Sequence, residues 1–188
     1  MVIRKLSSSL LKNKSVLLIG PRQVGKSTLI KSFNPELTLN LAEEDVFIDV
    51  TSDPSFLKKQ IETHTPHSVF VDEVQRFPRM LNSIQAIIDQ NPKIRFFITG
   101  SSARKLRRGK ANLLPGRVYS YQLGPLVASE LNHKMDQTKV LKFGGLPEAY
   151  LSDSEIASKK LLRSYSGTYL KEEIQAEAVV RNIGAYAR

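Results

Sequence analysis

The sequence predicts an α/β fold in which a parallel sheet of about five strands carries helices on both faces and is followed by a small all-helical unit. Short β-prone segments alternate with helical stretches from residue 15 to residue 123, which is typical of a parallel sheet. The segment 69–71 is apolar without interruption, as expected of a strand that is covered on both faces. Beyond Pro125 helical patterns continue without further strand-like segments. We therefore expect one domain over 1–125 and a helical domain over 126–188.

The predicted elements follow from the apolar pattern and from residues that begin or end helices. The five predicted strands are 15–19, 36–41, 68–73, 94–99 and 118–123. Helices are expected after the glycine-rich loop that follows the first strand, after Pro54 and after Pro78. The acidic segment 42–45 is expected to be a loop or turn. The clearest helical stripe, interpreted as core packing, is Met80, Leu81, Ile84, Ile87 and Ile88. In the second domain the predicted helices are 126–131, 138–143, 155–170 and 171–180.

The segment from Gly20 to Ser27 reads G-x-x-x-x-G-K-S and lies between a predicted strand and a predicted helix. Glycines allow backbone angles at which successive N–H groups point inward, and a helix start adds free N–H groups and partial positive charge. Such a loop binds a chain of phosphates, with Lys26 reaching the β- and γ-phosphates and the Ser27 hydroxyl offered to Mg²⁺. The pattern predicts a P-loop NTPase sheet. The residues expected to bind the nucleotide here are Gly20, Pro21, Arg22, Gln23, Val24, Gly25, Lys26, Ser27 and Thr28.

Two acidic residues, Asp72 and Glu73, follow the apolar segment 69–71. They come at the carboxyl end of a predicted strand, where open α/β sheets bind ligands. Phosphoryl transfer to water needs a metal ion and a group that orients the water. We expect Asp72 to be the second Mg²⁺ anchor beside Ser27, directly or through water. Glu73 is expected to polarise the attacking water, while Mg²⁺ and Lys26 carry the developing negative charge.

The phosphate loop, the segment 69–75 and the segment 96–102 follow one another in an order that resembles AAA-type ATPases. They look most like the prokaryotic ATP-binding proteins related to replication-initiator and STAND ATPases, which often carry a further domain of unknown function. The resemblance implies ATP and Mg²⁺ as ligands. It also implies that the polar residue after the fourth strand senses the γ-phosphate. The pattern does not choose between Ser101 and Ser102 for this role, and we prefer Ser101.

The resemblance implies two further site residues. The segment 113–118 is similar to the family's Leu-x-Gly-Arg stretch, which makes Arg117 a candidate arginine finger. The segment 145–147 looks like the Gly-x-Pro turn by which STAND lids touch the adenine, and a prolyl ring at a tight corner is a rigid apolar plate for a base. Pro147 is therefore a candidate adenine contact. The alternatives are a surface or structural arginine and a loop corner without a ligand.

Composition bounds the remaining possibilities. The chain has 188 residues, no cysteine and a formal net charge of +10, so disulfides and thiolate metal sites are excluded. No apolar run approaches the ~18 residues of a membrane span, and the N-terminus lacks the apolar length of a secretory signal. We therefore expect a cytoplasmic protein without a membrane partner. The positive charge attracts polyanions, and the dense run 104–110 is interpreted as a contact for nucleic acid or a neighbour's nucleotide, or as a solvated basic face.

Together these features predict an AAA-type ATPase or molecular switch that binds Mg-ATP and hydrolyses it to ADP and phosphate. Turnover is expected to depend on self-association if Arg117 or another arginine is supplied in trans. The alternative is a nucleic-acid-binding module that uses ATP as a structural or regulatory ligand. A nucleotide kinase fits less well, because it would want an arginine-rich lid over the acceptor. Proteins of this kind normally continue past the position of Arg188, so we expect either the ATPase-and-lid part of a longer protein or a truncated product.

Overall fold

The computed structural model describes residues 2–10, 14–101, 106 and 113–169. Contacts divide the chain into two units, of which the first spans residues 3–124 and the second begins at Pro125. Within the described ranges, no helix combines the length and the apolar content needed to cross a bilayer.

The first unit is built on a five-stranded sheet whose order is β2-β3-β4-β1-β5. The strands are β1 (Ser15–Ile19), β2 (Leu37–Asn40), β3 (Ser68–Asp72), β4 (Arg95–Gly100) and β5 (Val118–Gln122). Every neighbouring pair is parallel, and β1 lies between β4 and β5 with Ile19 opposite Gly100 and Gln122. The predicted parallel α/β sheet is confirmed. Because β4 lies between β1 and β3, the segment after β4 is placed between the phosphate loop and the two acids.

The core lies on both faces of this sheet. Val69, Phe70 and Val71 are consecutive in β3 and each is 0% exposed. Successive side chains of a strand point to opposite faces, so both faces of β3 are covered. Such complete burial explains why this segment reads as an uninterrupted apolar run.

The described helices of the first unit differ from the predicted ones mainly between β2 and β3. They are α1 (Ser7–Leu10), α2 (Lys26–Lys31), α3 (Glu44–Ser52), α4 (Phe56–His64), α5 (Met80–Gln90) and a 3₁₀ turn (Val74–Arg76). The prediction of a loop or turn over 42–45 is wrong at its end, because α3 begins at Glu44. Acidic side chains in the first turn stabilise a helix, because they interact with the partial positive charge of its N-terminus. Later in the same helix the Val50 side chain is buried in the core.

Helix α5 has the core-facing stripe that the sequence predicts. Met80, Leu81 and Ile84 are at most 2% exposed, and Ile87 and Ile88 pack against the same cluster while partly buried. The stripe follows the spacing of one helix face, so α5 is fixed on the sheet by apolar burial.

The second unit is helical throughout its described part. Its elements are a 3₁₀ turn (Ala128–Leu131), α6 (Gln137–Phe143), α7 (Pro147–Leu151) and α8 (Glu155–Tyr169). The Tyr150 hydroxyl accepts a hydrogen bond from the Asp136 N–H at 2.8 Å, and the Ser158 hydroxyl donates to the Ala149 carbonyl at 2.8 Å. These bonds tie α7 to the start of α6 and to α8. The predicted helix 171–180 lies outside the described residues.

Candidate nucleotide-binding site

The loop between β1 and α2 has the backbone angles that the glycine-rich pattern predicts. Gln23 and Gly25 both lie in the left-handed region, with φ of 62° and 92°. The Leu29 N–H donates to the Gly25 carbonyl at 2.9 Å, which closes the first turn of α2 directly after the loop. Left-handed residues before a helix start turn backbone N–H groups toward one concavity, as an anion-binding loop requires.

Gly20 has a packing reason to be glycine. A Cβ atom at this position would lie 2.0 Å from the backbone carbonyl oxygen of Leu123, which is closer than any side chain tolerates. The Gly20 N–H donates to the Gly100 carbonyl at 3.2 Å, and the Leu123 N–H donates to the Ile19 carbonyl at 2.8 Å. The start of the phosphate loop is therefore held between the ends of β4 and β5.

Lys26 is turned onto the first carbonyls of the loop. Its side chain is buried, with 4% exposed, and its Nζ donates to the carbonyls of Gly20 and Pro21 at 2.8 Å each. A buried ammonium needs such acceptors, because an uncompensated charge is costly away from water. The positive charge is thereby kept inside the loop where phosphates are expected to bind.

The remaining predicted loop residues fall into two groups. Val24 is 0% exposed, so only its backbone can meet a phosphate. Pro21, Arg22 and Ser27 are half-buried, whereas Gln23 and Thr28 are exposed. Ser27 is the second residue of α2, the position from which a hydroxyl can be offered to a metal ion beside the phosphates.

Arg4 contacts the backbone of this loop, a role that the sequence analysis did not predict. It is 8% exposed, and its guanidinium donates to the Val24 carbonyl at 2.6 Å and to the Gly124 carbonyl at 2.7 Å. Twenty and 120 residues separate Arg4 from these two carbonyls. No local sequence signal relates positions so far apart.

Asp72 is oriented by the neighbouring strand. It is 6% exposed, and its Oδ1 accepts hydrogen bonds from the Thr99 hydroxyl and, at 3.1 Å, from the Glu73 N–H. Thr99 lies on β4 and is 0% exposed. Thr99 is thus a site residue that the motif analysis missed. Its signal in the sequence is a hydroxyl residue directly after the apolar segment 96–98, still within the strand.

Glu73 is connected to Ser101 through Gln75. Glu73 is half-buried, and its backbone lies in the left-handed region with φ of 57°. Its Oε2 accepts a hydrogen bond from the Gln75 side-chain amide. The Gln75 Oε1 in turn accepts from the Ser101 N–H at 3.0 Å. The two sequence-predicted residues are therefore joined by a third that the sequence analysis did not single out.

Ser101 carries a hydroxyl without a partner. Its Oγ is buried and makes no hydrogen bond with any part of the chain that the structure describes. Buried hydroxyls normally make a hydrogen bond, so the Ser101 hydroxyl is available to donate one to a ligand oxygen. Ser102, the other candidate sensor, lies outside the described residues.

Arg117 does not lie with these residues. It precedes β5, whereas the phosphate loop follows β1, and the two strands are parallel. Arg117 therefore lies at the opposite edge of the sheet, about 15 Å away at about 3.3 Å per strand residue. Its guanidinium donates to both carboxylate oxygens of Asp89, at 2.6 and 2.8 Å. These bonds raise the pKa of Arg117 and lower the pKa of Asp89.

Pro147 belongs to the second unit, where it is the first residue of α7. It follows Gly144, whose φ is 68°, and Gly145, whose carbonyl accepts from the Leu126 N–H at 2.7 Å. The predicted corner is thus a helix start with proline in a favourable position. The basic run 104–110 lies outside the described residues except for Leu106, which is 0% exposed.

The donor set fits a magnesium ion shared with phosphates. Among the described residues there is no group of three or more His, Cys, Asp or Glu side chains that could hold a metal. Mg²⁺ in nucleotide sites is commonly held by one or two protein oxygens, with phosphate oxygens and waters completing the shell. A Ser27 hydroxyl and an Asp72 carboxylate are ligands of that kind, and the unpartnered Ser101 hydroxyl is a group that can donate to a phosphate oxygen.

The fold and this edge of the sheet together define the class, a P-loop nucleotide-binding protein with a parallel α/β sheet. The sequence profile of the AAA domain family matches residues 12–132, which is more than half of the chain. The chain belongs to the AAA domain family. It is an AAA-type P-loop ATPase by family, as the sequence resemblance predicts. The finer resemblance to STAND ATPases stays a prediction.

Curated relatives extend beyond this chain. The uncharacterized protein MJ1544 of Methanocaldococcus jannaschii is 26% identical over 206 residues, which cover 96% of this chain and 46% of the relative. The uncharacterized protein Rv2008c of Mycobacterium tuberculosis is 29% identical over 163 residues, which cover 85% of this chain and 36% of the relative. The chain spans less than half the length of these curated relatives.

Solved structures show more remote similarity. The replication initiator DnaA bound to AMPPCP and single-stranded DNA matches with a TM-score of 0.46 at 11% identity, covering 95% of this chain and 66% of that one. The Pif1 helicase from Candida albicans matches with a TM-score of 0.45 at 16% identity, covering 81% and 46%. Similarity at this level assigns no property of those proteins to this chain.

Proposed function

We propose that this chain binds Mg-ATP at the carboxyl edge of its sheet and hydrolyses it to ADP and phosphate, as an ATPase or an ATP-driven switch. The observation that carries the proposal is the hydrogen-bonded series across this edge. Gly20 bonds to Gly100, Ser101 bonds to Gln75, and Gln75 bonds to Glu73. The start of the phosphate loop, the candidate sensor and the candidate base are therefore parts of one connected structure.

The residues divide the chemistry among them. Lys26 binds the β- and γ-phosphates, for which it exchanges its present carbonyl partners. Ser27 and Asp72 hold the Mg²⁺, which supplies neutralisation of phosphate charge when it is bound. Glu73 accepts a proton from the attacking water while Lys26 faces the charge that develops on the phosphate. Ser101 donates its hydroxyl to the γ-phosphate.

Two residues act from outside this edge. Arg117 lies at the opposite end of its own sheet and is therefore far from the phosphate loop of its own chain. We propose it as an arginine finger that acts on the nucleotide of a neighbouring subunit. It must then exchange Asp89 for a phosphate oxygen, which self-association would have to drive. Pro147 is proposed as the adenine contact.

ATP turnover by the purified chain across a concentration series tests this proposal. Lys26→Ala is expected to abolish nucleotide binding, whereas Glu73→Gln keeps binding and stops hydrolysis. Lys159→Ala, at an exposed position of α8, is the control and should match the parent. A rate per subunit that rises with concentration supports an arginine supplied in trans. Hydrolysis by Glu73→Gln at the parental rate would remove Glu73 from its role.

A nucleic-acid-binding function is the second candidate, favoured by the net charge of +10. It is tested by titration against duplex and single-stranded DNA at two salt concentrations. Binding that strengthens as salt falls is the expected signature, because phosphate contacts release counterions. Absence of binding at low salt removes this candidate.

A further inference from the structure

We propose that Gln75 is a positioning residue that couples Ser101 to Glu73, and so sets the water-activating carboxylate according to the state of the γ-phosphate site. The inference rests on the proposed function and deepens it. Gln75 lies in the 3₁₀ turn Val74–Arg76 directly after the two acids and is half-buried. One side chain thus contacts both a candidate catalytic residue and a candidate sensor.

The two hydrogen bonds fix the orientation of the Gln75 amide. The backbone N–H of Ser101 is only a donor, so the atom of Gln75 that faces it at 3.0 Å must be the carbonyl oxygen. The NH₂ group then faces Glu73 and donates to its Oε2. An ionised carboxylate is a pure acceptor, so this arrangement suits Glu73 in the form that accepts a proton.

The backbone around Gln75 is shaped to admit its side chain. A Cβ atom on Gly100 would lie 3.1 Å from the Gln75 Oε1, tighter than an ordinary contact. A glycine at the end of β4 therefore leaves room for the amide against the strand. The same Gly100 accepts the hydrogen bond from Gly20 at the start of the phosphate loop. Gln75 consequently packs against the backbone segment that links the loop to Ser101.

The unpartnered hydroxyl of Ser101 gives this connection a direction. The Ser101 backbone N–H holds Gln75, whereas its Oγ has no partner within the described chain. A phosphate oxygen that engages the hydroxyl changes the position of the residue whose N–H orients Gln75. The change then reaches Glu73 through the amide, without any contact between Ser101 and Glu73 themselves.

Steady-state ATP turnover with separate kcat and KM values tests this inference. Gln75→Met keeps the side-chain length and removes both hydrogen bonds, and we expect kcat to fall about 10–100-fold, while KM changes less than about threefold. Gln75→Glu keeps an acceptor for Ser101 but places a negative charge against Glu73, and should fall at least as far. Gln90→Met, an exposed glutamine of α5, is the matched control and should retain the parental kcat.

Combination with Glu73→Gln separates positioning from a structural role. Because Gln75 acts through Glu73, adding Gln75→Met to Glu73→Gln is expected to cause no further loss in the slow residual single-turnover rate, measured over long times with the protein in excess over ATP. A further loss of the same factor as in the parent would overturn the inference, and so would a parental kcat in both Gln75 variants. Gln75→Glu decides the matter if Gln75→Met fails to fold. A parent chain that hydrolyses no ATP at any concentration would instead overturn the proposed function itself.

Discussion

The hydroxyl of Thr99 donates a hydrogen bond to Oδ1 of Asp72, so the end of β4 orients the acid at the end of β3. Both residues are buried, with 0% and 6% exposed. The candidate metal ligand is therefore fixed before any metal binds. A preset ligand loses less conformational freedom when it binds, which favours affinity.

Thr99→Val tests this bond, because valine has nearly the same shape and lacks the hydroxyl. The substitution leaves the buried Asp72 carboxylate with one donor fewer, and the free energy of unfolding should fall by about 1–3 kcal/mol. Urea titration measures the change. Thr51→Val is the control, since Thr51 is exposed and bonds only to carbonyls of its own helix. Equal stability of Thr99→Val and the parent would show that the bond contributes nothing.

Gly20→Ala should destabilise the protein and weaken nucleotide binding together. The new methyl group would lie 2.0 Å from the Leu123 carbonyl oxygen, so the loop or the end of β5 must move. Overpacking of this kind costs about 1–3 kcal/mol or more. Gly124→Ala is the control, because its Cβ would meet nothing within 4 Å. Thermal unfolding and titration with a fluorescent ADP analogue report the two effects, and parental values for both would contradict the contact.

Arg4→Met should weaken nucleotide binding although Arg4 lies outside the phosphate loop. Two carbonyls, those of Val24 and Gly124, lose a charged donor, which costs about 1.5–3 kcal/mol of stability. Arg4→Lys should recover only part of this, because an ammonium lacks the planar fork that reaches both acceptors. Arg163→Met, at an exposed position of α8, serves as the control in the same urea and nucleotide titrations. Nucleotide affinity equal to that of the parent would detach Arg4 from the loop.

Asp53 gives the stability of the first unit an acid dependence. The hydrogen bond from Lys59, with those from the Ser55 hydroxyl and N–H, lowers the pKa of Asp53 from 3.8 to about 2. A carboxyl with a lowered pKa in the folded state stabilises it above the unfolded pKa, and the contribution is lost as pH falls through the folded pKa. The difference in unfolding free energy between the parent and Asp53→Asn should therefore shrink between pH 3.8 and about 2. Lys59→Met removes the largest cause of the lowered pKa and should make this difference depend less on pH. A difference between the parent and Asp53→Asn that stays constant over this pH range would contradict the lowered pKa of Asp53.

The fold could be predicted because its strands are short, mostly apolar and separated by clear helix boundaries. The loop that begins at Gly20 and the acidic pair Asp72 and Glu73 were found because each is a short continuous segment of the sequence. Helix α3 was not predicted, since an acidic segment such as 42–45 is equally suited to a turn or to a helix N-terminus.

The residues that hydrogen-bond to the candidate site residues could not be predicted, because the tertiary fold brings them together. Thr99 reaches Asp72 only when β4 pairs with β3, and Arg4 reaches Val24 only when the N-terminal segment passes under the loop. Gln75 follows Glu73 by two residues, but its role depends on the 3₁₀ turn that directs it toward Ser101. Tertiary contacts of this kind leave little trace in one sequence.

The guanidinium of Arg4 joins the base of the phosphate loop to Gly124, the last residue before the chain enters the helical unit. The carbonyls of Val24 and Gly124 are therefore held relative to each other by one planar group, although they lie far apart in the sequence. The fork of the guanidinium needs both carbonyls in place at once, so displacement of either one breaks a charge-assisted hydrogen bond.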